Sequence, residues 1–458
     1  MRARSEGWRT MRSMQPAEGA PVPVPAGAEP RTPGLIRRQF KSAWMDLVRM
    51  RSQVKAVTWS LSFIGILGYL FASVTSRLPI GWESAIAAIV GLAFLPYALR
   101  FPASAGIFTG FLIWAAVGAA VSPWSRVAFD AWLELGKVGL IYLCMVNAVR
   151  SRAQIWFYMV FFLALYGSHP VRGAVVNYLT GNTYFGRAAW YQGIFSNPND
   201  LGALTLLQLS MAAALLITER KGLVRLGALF AILILPFTIL VTQSRGVFVA
   251  LTVFVIGAVW VHPKKVRILG TLFLLGGLAV AFAPKGLWER VEGLRFATST
   301  STLNEVDPEG SAAQRWAIWQ TGMRIAADYP VTGVGLGAYR YANGSLSDVL
   351  GNRDAHSTYL TLLAENGTIG LLLFLALVGA TIAKSLSLRR RIKSVLPEGA
   401  AQLRYLELGL ICFLIAGIWG SYSKLTFLYL HIALIWSLAA ACEREVAEAR
   451  RIVLQPGR

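Results

Sequence analysis

Charged side chains and cysteines are both scarce in this chain of 458 residues. Asp, Glu, Lys and Arg together make up only 15% of it, whereas 55% is hydrophobic, which excludes an ordinary soluble protein and predicts a polytopic helical membrane protein. The three cysteines, Cys144, Cys412 and Cys442, lie in or at the end of apolar runs and form no CxxC pair. That placement favours packing of small apolar side chains over redox or metal chemistry.

Acidic residues are also few, since 23 Asp and Glu face 44 Lys and Arg and leave a net charge of +21. The cations follow alternate loops, and no folded soluble module lies outside the predicted membrane domain, so we expect no nucleic acid partner. The outer loops contain no Asp-x-Asp pair, and the loop near Arg77 has no carboxylate. We therefore expect no metal ion and no other cofactor at the site.

Long apolar runs recur along most of the chain, and twelve of them are long enough to cross a bilayer as helices. They cover roughly residues 56–74, 79–99, 105–121, 128–149, 153–168, 201–218, 224–241, 247–261, 268–282, 358–385, 405–420 and 425–442. The sequence therefore predicts an all-α fold of about twelve spans with one large, partly helical outer loop.

Lys and Arg close to the ends of spans mark the cytoplasmic side of a membrane protein. With the N-terminus inside, every second loop is basic, and the junctions on the other side carry only one or two cations. Both termini are therefore predicted to be cytoplasmic. The basic loops contain Arg150 and Arg152, Arg220 and Lys221, Lys264, Lys265 and Arg267, Arg389 to Arg391 with Lys393, and Arg450 with Arg451.

Two outer segments are long enough to hold a site, at residues 169–200 and 283–355. In the first, Asn199 or Asp200 either caps the following helix or contacts a glycan. In the second, Arg315 begins a predicted helix over residues 312–327, which Pro330 ends. One face of this helix follows a spacing of three and four and is expected to pack on the membrane domain. That face consists of Trp316, Trp319, Met323 and Ala327.

Glycine occupies every second position after this helix, at Gly333, Gly335 and Gly337. The pattern is unlike a dinucleotide loop, because no strand precedes it and the spacing differs. It predicts a flexible turn that neighbouring groups can approach closely.

Three polar residues, Arg245, Arg315 and His356, are predicted to lie on the same outer side. Two guanidiniums and an imidazole at a membrane surface suit a lipid-linked diphosphate with a proton transfer beside it. Other interpretations stay open, since an arginine at the end of a span can snorkel to the headgroups and a histidine at a helix start can cap it.

A carboxylate, Glu365, lies nine residues after His356 in the same predicted span. On a straight helix it is turned by about 180° and is about 13 Å deeper, so it is not a direct partner of His356. We expect it to tie this span to another, with Gly367 and Gly370 allowing close approach. Glu134 and Lys137 are spaced to pair with each other.

Several short motifs occur in a fixed order on the predicted outer side. They are Gly193-x-Phe195-x-x-x-Asn199, Ser244-Arg245-Gly246, Arg315-x-x-x-Trp319, Asp328-x-Pro330-x-x-Gly333-x-Gly335-x-Gly337, His356-Ser357-x-x-Leu360 and Glu365-x-Gly367-x-x-Gly370. Together they resemble the O-antigen ligase and polymerase superfamily of bacterial envelope glycan assembly. Ser357 departs from the pattern, because the superfamily often has Asn there.

The resemblance implies an enzyme of the inner membrane that uses neither a nucleotide nor a metal at its site. It implies transfer of a glycan from undecaprenyl diphosphate to a periplasmic hydroxyl of a glycan, lipid or protein acceptor, with membrane lipids around the protein. Arg245 and Arg315 would bind the diphosphate, and His356 would act as the base or orient the acceptor. Substrate contacts are expected from Asn199, Ser244, Trp319, Arg340 and Glu365.

The implied organisation has five parts. A disordered basic cytoplasmic tail and juxtamembrane segment occupies residues 1–55, nine spans occupy 56–284, a periplasmic loop domain occupies 285–355, three spans occupy 356–442, and a cytoplasmic tail occupies 443–458. Shared motifs leave ligase and repeat-unit polymerase open as alternatives. A transporter is disfavoured because the polar residues collect at one outer face instead of at the bilayer midplane.

Overall fold

The computed structural model describes residues 50–183, 186–220, 222–261, 311–346 and 351–454, and within these ranges every extended regular element is a helix. The expectation of an all-α fold is confirmed. The helices are α1 (Leu61–Thr75), α2 (Gly81–Leu92), α3 (Ala103–Val121), α4 (Ser125–Ala148), α5 (Arg152–Tyr166), α6 (Arg172–Leu179), α7 (Pro198–Thr218), α8 (Leu223–Thr242), α9 (Arg245–Val261), α10 (Ser311–Asp328), α11 (Tyr339–Leu346), α12 (Thr358–Ile392), α13 (Pro397–Ala416) and α14 (Thr426–Leu454).

In the described part of the chain, seven helical segments are long and apolar enough to cross a membrane: α3, α5 continued through a π turn into α6, α7, α8, α12, α13 and α14. The apolar helices α1, α2 and α9 are shorter. A helix coincides with each predicted span except the one at 268–282, which lies outside the described residues, as do the basic loop at 264–267 and residues 1–49. The number of about twelve spans therefore stays a prediction.

Side-chain caps fix where several of these helices begin. Ser60 caps α1, and Ser151 forms a capping box with Gln154 at the start of α5. Asn197 caps α7 by accepting the Asn199 N–H at 2.8 Å. Of the two roles left open for Asn199 and Asp200, the cap is therefore provided by Asn197 instead, because Pro198 sets the first helical position.

The core of the bundle is built around α7, α13 and α14, whose apolar stretches are mostly buried, whereas only 28% of the apolar stretch of α8 is buried. α7 packs between α8 and α13, and α14 packs against α4 and α12. α12 is broken at Gly367, where φ is 66° and ψ is −171°. The outer part of α12 is thus set off from its inner part, and it is this outer part that carries the candidate site.

The basic loops lie at one end of the bundle, where ion pairs connect them to neighbouring helices. Arg220 pairs with Glu398 at 3.4 Å, and Arg389 pairs with the buried Glu407 at 3.1 Å. The opposite end of α7 carries Asn199, about 31 Å away for a helix of this length. The structure therefore separates the basic loops from the predicted site residues as the charge pattern indicates. The expected pair of Glu134 and Lys137 is also present.

Candidate active site

The turn between α8 and α9 is held by the segment that precedes α7. α8 ends at Gln243, whose φ is +49° and whose side-chain Nε2 donates to the Gly186 carbonyl at 2.8 Å. Arg187 Nε donates to the Thr242 carbonyl at 3.0 Å. These contacts fix the start of α9, so that the buried Ser244 and the half-buried Arg245 leave the turn in a defined direction.

Arg187 connects this turn to the start of α7. Its Nη2 donates to the Asn199 side-chain oxygen at 2.7 Å, and the Tyr422 hydroxyl donates to the Asn199 backbone carbonyl at 3.2 Å. Burial raises the pKa of Tyr422, with Asp200 acting in the same direction and Arg315 and Arg187 against it. The phenol therefore stays protonated, and the two arginines lie within electrostatic reach of it.

The loop at residues 417–425 joins the start of α9 to the start of α12. The Thr358 N–H donates to the Gly417 carbonyl at 2.7 Å, and the Tyr422 N–H donates to Thr358 Oγ1 at 2.9 Å. A Cβ added at Gly246 would lie 2.9 Å from Trp419 Cβ, so the chain next to Arg245 needs glycine for this close approach.

His356 immediately precedes the cap of α12. Ser357 is that cap, and its hydroxyl accepts the Leu360 N–H at 3.4 Å, so capping is not the role of His356. His356 has a φ of +49°, and among the described residues only Ser76 and Gln243 share a positive φ without being glycine. Two of these three unusual backbones therefore lie at the candidate site, where such conformations are often functional.

The imidazole of His356 is largely removed from water and lies within electrostatic reach of three arginines and one carboxylate. Its pKa is lowered to about 4, first by its removal from water and then by Arg315, with Arg353 and Arg187 adding to the effect and Asp354 opposing it. The ring is thus neutral near pH 7, and one of its nitrogens can accept a proton. Arg315 thus lies within electrostatic reach of His356.

Helix α10 is fixed to this region by Trp319, whose Nε1 donates to the Ala355 carbonyl at 2.9 Å. The predicted buried face of the helix is wrong, because Trp316, Met323 and Ala327 are exposed and Trp319 is only half-buried. The face that packs on α11 and α12 contains smaller or branched side chains, which allow a closer approach than tryptophan does. It consists of Ile318, Thr321, Gly322 and Ile325.

Glu365 is 2% exposed and holds neighbouring segments together. Its Oε1 lies 3.6 Å from Lys424 Nζ and accepts the Tyr339 N–H at 3.3 Å, while its backbone carbonyl accepts the Gly335 N–H at 2.9 Å. The expectation that it ties this span to other segments is confirmed. A Cβ at Gly333 would lie 2.4 Å from the Glu365 carbonyl carbon, so the alternating glycines allow the predicted close approach.

Arg340 pairs with Asp354 at 3.3 Å, and both side chains are about half exposed. This pair lies beside His356 and leaves the Arg340 guanidinium accessible. Contact of Arg340, Asn199, Ser244, Trp319 and Glu365 with substrate stays a prediction.

Loss of the two partners of the buried ion pair is expected to have unequal effects. Lys424→Met leaves the Glu365 carboxylate buried without its cation, which costs roughly 3 kcal/mol, the lower end of the usual range because Lys424 is 40% exposed. Glu365→Gln keeps an acceptor for the Tyr339 N–H and leaves only an ammonium that water can reach. In thermal melts, Lys424→Met should have a lower melting temperature than Glu365→Gln. The double variant should have a higher melting temperature than Lys424→Met. Equal midpoints for wild type and Lys424→Met would contradict the pairing.

Residues 228–375 match the family model Wzy_C, described as O-antigen ligase. The match confirms the resemblance to the O-antigen ligase and polymerase superfamily over these residues, and together with the membrane-length helices it supports a membrane glycosyltransferase of the ligase or polymerase type. The matched segment extends from α8 into α12 and contains Arg245, Arg315 and His356. No curated protein matches the chain.

Two residues of the site region, Arg187 and Tyr422, were missed by sequence reasoning and lie outside the matched segment. Arg187 stands out only as one of the few cations on the predicted outer side. Tyr422 gives no signal in a chain with 15 tyrosines. Both are brought to the site by the packing of α7, α13 and α14 around it.

Proposed function

We propose that this protein transfers a glycan from undecaprenyl diphosphate to an acceptor hydroxyl at the periplasmic face of the inner membrane. The observation that carries this proposal is the grouping of His356, Arg315 and Arg187 at the end of the bundle opposite the basic loops, with Arg187 held in place by its hydrogen bonds to Asn199 and Thr242. Such a transfer needs cations that stabilise its anionic leaving group and a proton acceptor close to them.

The arginines Arg187, Arg245 and Arg315 bind the diphosphate of the donor in this proposal. A guanidinium presents a planar fork of donors that matches phosphate oxygens in pairs, and it stays charged in a partly dry site. Arg187 already donates to Asn199 and Thr242, so it approaches the donor with its orientation fixed. Arg245 is the first residue of α9, Arg315 is the fifth residue of α10, and both are half-buried.

The reaction is an inverting displacement at the anomeric carbon of the glycan. The acceptor oxygen forms a bond to that carbon while the bond from the carbon to the diphosphate oxygen breaks, and its electron pair leaves with the diphosphate. His356 takes the proton of the acceptor hydroxyl. The arginines stabilise the negative charge that grows on the leaving diphosphate.

A transfer assay with the purified full-length protein in nanodiscs tests this function. The donor is a glycan on undecaprenyl diphosphate. It is offered either with an acceptor whose hydroxyl is not part of a lipid-linked repeat or with a second lipid-linked repeat. Transfer with inversion of the anomeric configuration and release of undecaprenyl diphosphate is expected. Growth of lipid-linked repeats alone would identify the polymerase alternative, and no transfer to either acceptor would overturn the proposal.

The proposed orientation predicts opposite labelling at the two ends of the molecule. Leu346 at the end of α11 and Val395 between α12 and α13 are 56% and 58% exposed, and all three native cysteines are buried. A membrane-impermeant maleimide should label Leu346→Cys in intact spheroplasts and Val395→Cys only after lysis. The reverse pattern would show that the proposed topology is inverted. Wild type treated with the same reagent serves as the control and should remain unlabelled, because its cysteines are buried.

A further inference from the structure

Three arginines lie together at the end of the bundle that carries the basic loops. Arg100 precedes α3, Arg150 lies between α4 and α5, and Arg444 lies in the last third of α14. Arg444 Nη2 donates to the Arg150 carbonyl, and all three residues are partly exposed. These three residues, the arginine cluster, thus bring cations from three separate segments of the chain to one place.

A buried asparagine holds the backbone of the arginine cluster. Asn147 is 2% exposed, its Oδ1 accepts the Arg100 N–H at 2.6 Å, and its Nδ2 donates to the Arg100 carbonyl at 3.1 Å. The backbone carbonyl of Asn147 accepts Arg150 Nε at 3.0 Å. Both bonds of Arg100 use its backbone, so its guanidinium takes no part in this clamp.

The guanidinium of Arg150 is held in one orientation by the protein itself. Its Nη2 donates to the Ala98 carbonyl at 2.8 Å, and its central carbon lies 3.4 Å from the centre of the Tyr97 ring. Burial lowers the pKa of Arg150 to about 10, with Arg100 and Arg444 adding to the effect and Tyr97 opposing it. The group therefore stays charged near pH 7, and it loses little freedom when it binds an anion.

The positive charge of the arginine cluster is not balanced by carboxylates. None of the ion pairs among the described residues includes one of its three members. The two acidic neighbours of Arg444 pair with other cations, since Glu443 lies 2.7 Å from Lys384 and Glu445 lies 4.0 Å from Arg152. Like charges held together in a partly dry place favour an anion between them.

Exposed apolar side chains lie beside these cations. Phe94, Leu99 and Phe101, in the segment that joins α2 to α3, are each more than half exposed. This segment leads into α3, which is long and apolar enough to cross a membrane. Cations next to an exposed apolar patch at the end of such helices match a phosphate with acyl chains below it.

We propose that the arginine cluster binds the phosphodiester headgroup of an anionic phospholipid, whose acyl chains lie against Leu99 and Phe101. A zwitterionic headgroup would bring an ammonium group to the arginines, which repel it. A free anion in water would make no use of the exposed apolar side chains. The bound lipid connects the start of α3, the turn between α4 and α5, and α14, and so stabilises the folded bundle.

Thermal melts of the purified, delipidated full-length protein in detergent test the lipid preference. Dioleoyl phosphatidylglycerol is expected to raise the melting temperature by several degrees more than dioleoyl phosphatidylcholine does at the same mole fraction, because a ligand that binds only the folded state stabilises it. Equal shifts with the two lipids would overturn the proposal. The same shift with inorganic phosphate would assign the cluster to a soluble anion and would also overturn it.

Two substitutions test the place of binding. Arg100→Gln removes one guanidinium and keeps the backbone clamp of Asn147, so the fold should be preserved. In native mass spectrometry this variant should bind phosphatidylglycerol about tenfold or more weakly than wild type, because losing a hydrogen bond to a charged group commonly costs at least that much. The control Arg390→Gln removes an exposed arginine at the same end of the bundle and should bind like wild type.

Equal weakening in the variant and the control would reduce the cluster to general attraction between basic loops and anionic lipid, and would overturn the proposed site. Arg444→Gln, which removes a second guanidinium of the cluster, takes the place of Arg100→Gln in the same comparison if that variant does not fold. Neither the melts nor the mass spectra depend on glycan transfer, so they test the lipid site independently of the proposed reaction.

Discussion

Replacement of His356 by asparagine is expected to lower turnover by about a hundredfold or more, because a positioned general base usually contributes at least that much. Binding of the donor should change little, since the arginines remain. A purified-enzyme transfer assay with separate kcat and KM values measures both effects. Turnover at the wild-type level would remove the histidine from the mechanism and leave the arginines as the catalytic groups.

Asparagine is the informative substitution because of the backbone at this position. His356 has a φ of +49°, a conformation that asparagine tolerates and that strains alanine. His356→Asn therefore removes the imidazole with little change in stability, whereas His356→Ala would lower activity and stability together. His169→Asn serves as the matched control, since His169 lies at the π turn after α5 and bonds to Ser168. A thermal melt of each variant completes the comparison.

The pH dependence of the wild-type enzyme should reflect the burial of His356 and, after it, the arginines near the imidazole, which together lower its pKa. A general base works when neutral, so the rate falls as pH drops through its pKa. The pKa of about 4 in the free protein predicts a kcat/KM that stays flat from about pH 8 to about pH 5.5, where a histidine with its ordinary pKa of 6.5 would already be protonated. The diphosphate brings negative charge to the imidazole and raises its pKa, so the acidic fall in kcat should occur at higher pH than that in kcat/KM.

Arg245→Lys is expected to lose most of the transfer activity although it keeps the positive charge. A lysine ammonium is a point charge without the planar fork, so paired contacts with the diphosphate oxygens are lost. Loss of one preorganised contact to a developing charge commonly lowers kcat by about 10² to 10³. The fall should appear in kcat more than in KM, because the contact strengthens as the diphosphate leaves.

The control for this prediction is Arg172→Lys, which changes an exposed arginine at the start of α6, on the predicted outer side. Both variants should be expressed and melt like wild type. Normal glycan transfer by a well-folded Arg245→Lys protein would reduce Arg245 to a residue that snorkels to the headgroups. Equal losses in both variants would point to a general effect on the outer surface.

The sequence predicted those features of the fold that depend on the local pattern of apolar and charged residues. Apolar runs longer than a bilayer is thick predict the helices, and the alternation of cationic loops predicts which ends lie together, because both follow from the cost of placing polar groups in lipid. Arg245 and His356 were recognisable for the same reason, since polar residues at the mouths of apolar spans are rare in this chain, whereas Arg315 was recognisable from its place in the long outer segment between them.

The tertiary structure alone decided which residues accompany them and how they are held. Arg187 reaches Asn199 from 12 residues before it and Tyr422 from 223 residues after it, and no periodicity encodes either contact. The buried face of α10 was misassigned because amphipathic spacing favours the largest apolar side chains, whereas close packing against α11 and α12 favours Gly322 and Ile325. The left-handed backbone of His356 likewise depends on its surroundings, because tertiary contacts, and not the residue's own preference, hold a non-glycine residue in that conformation.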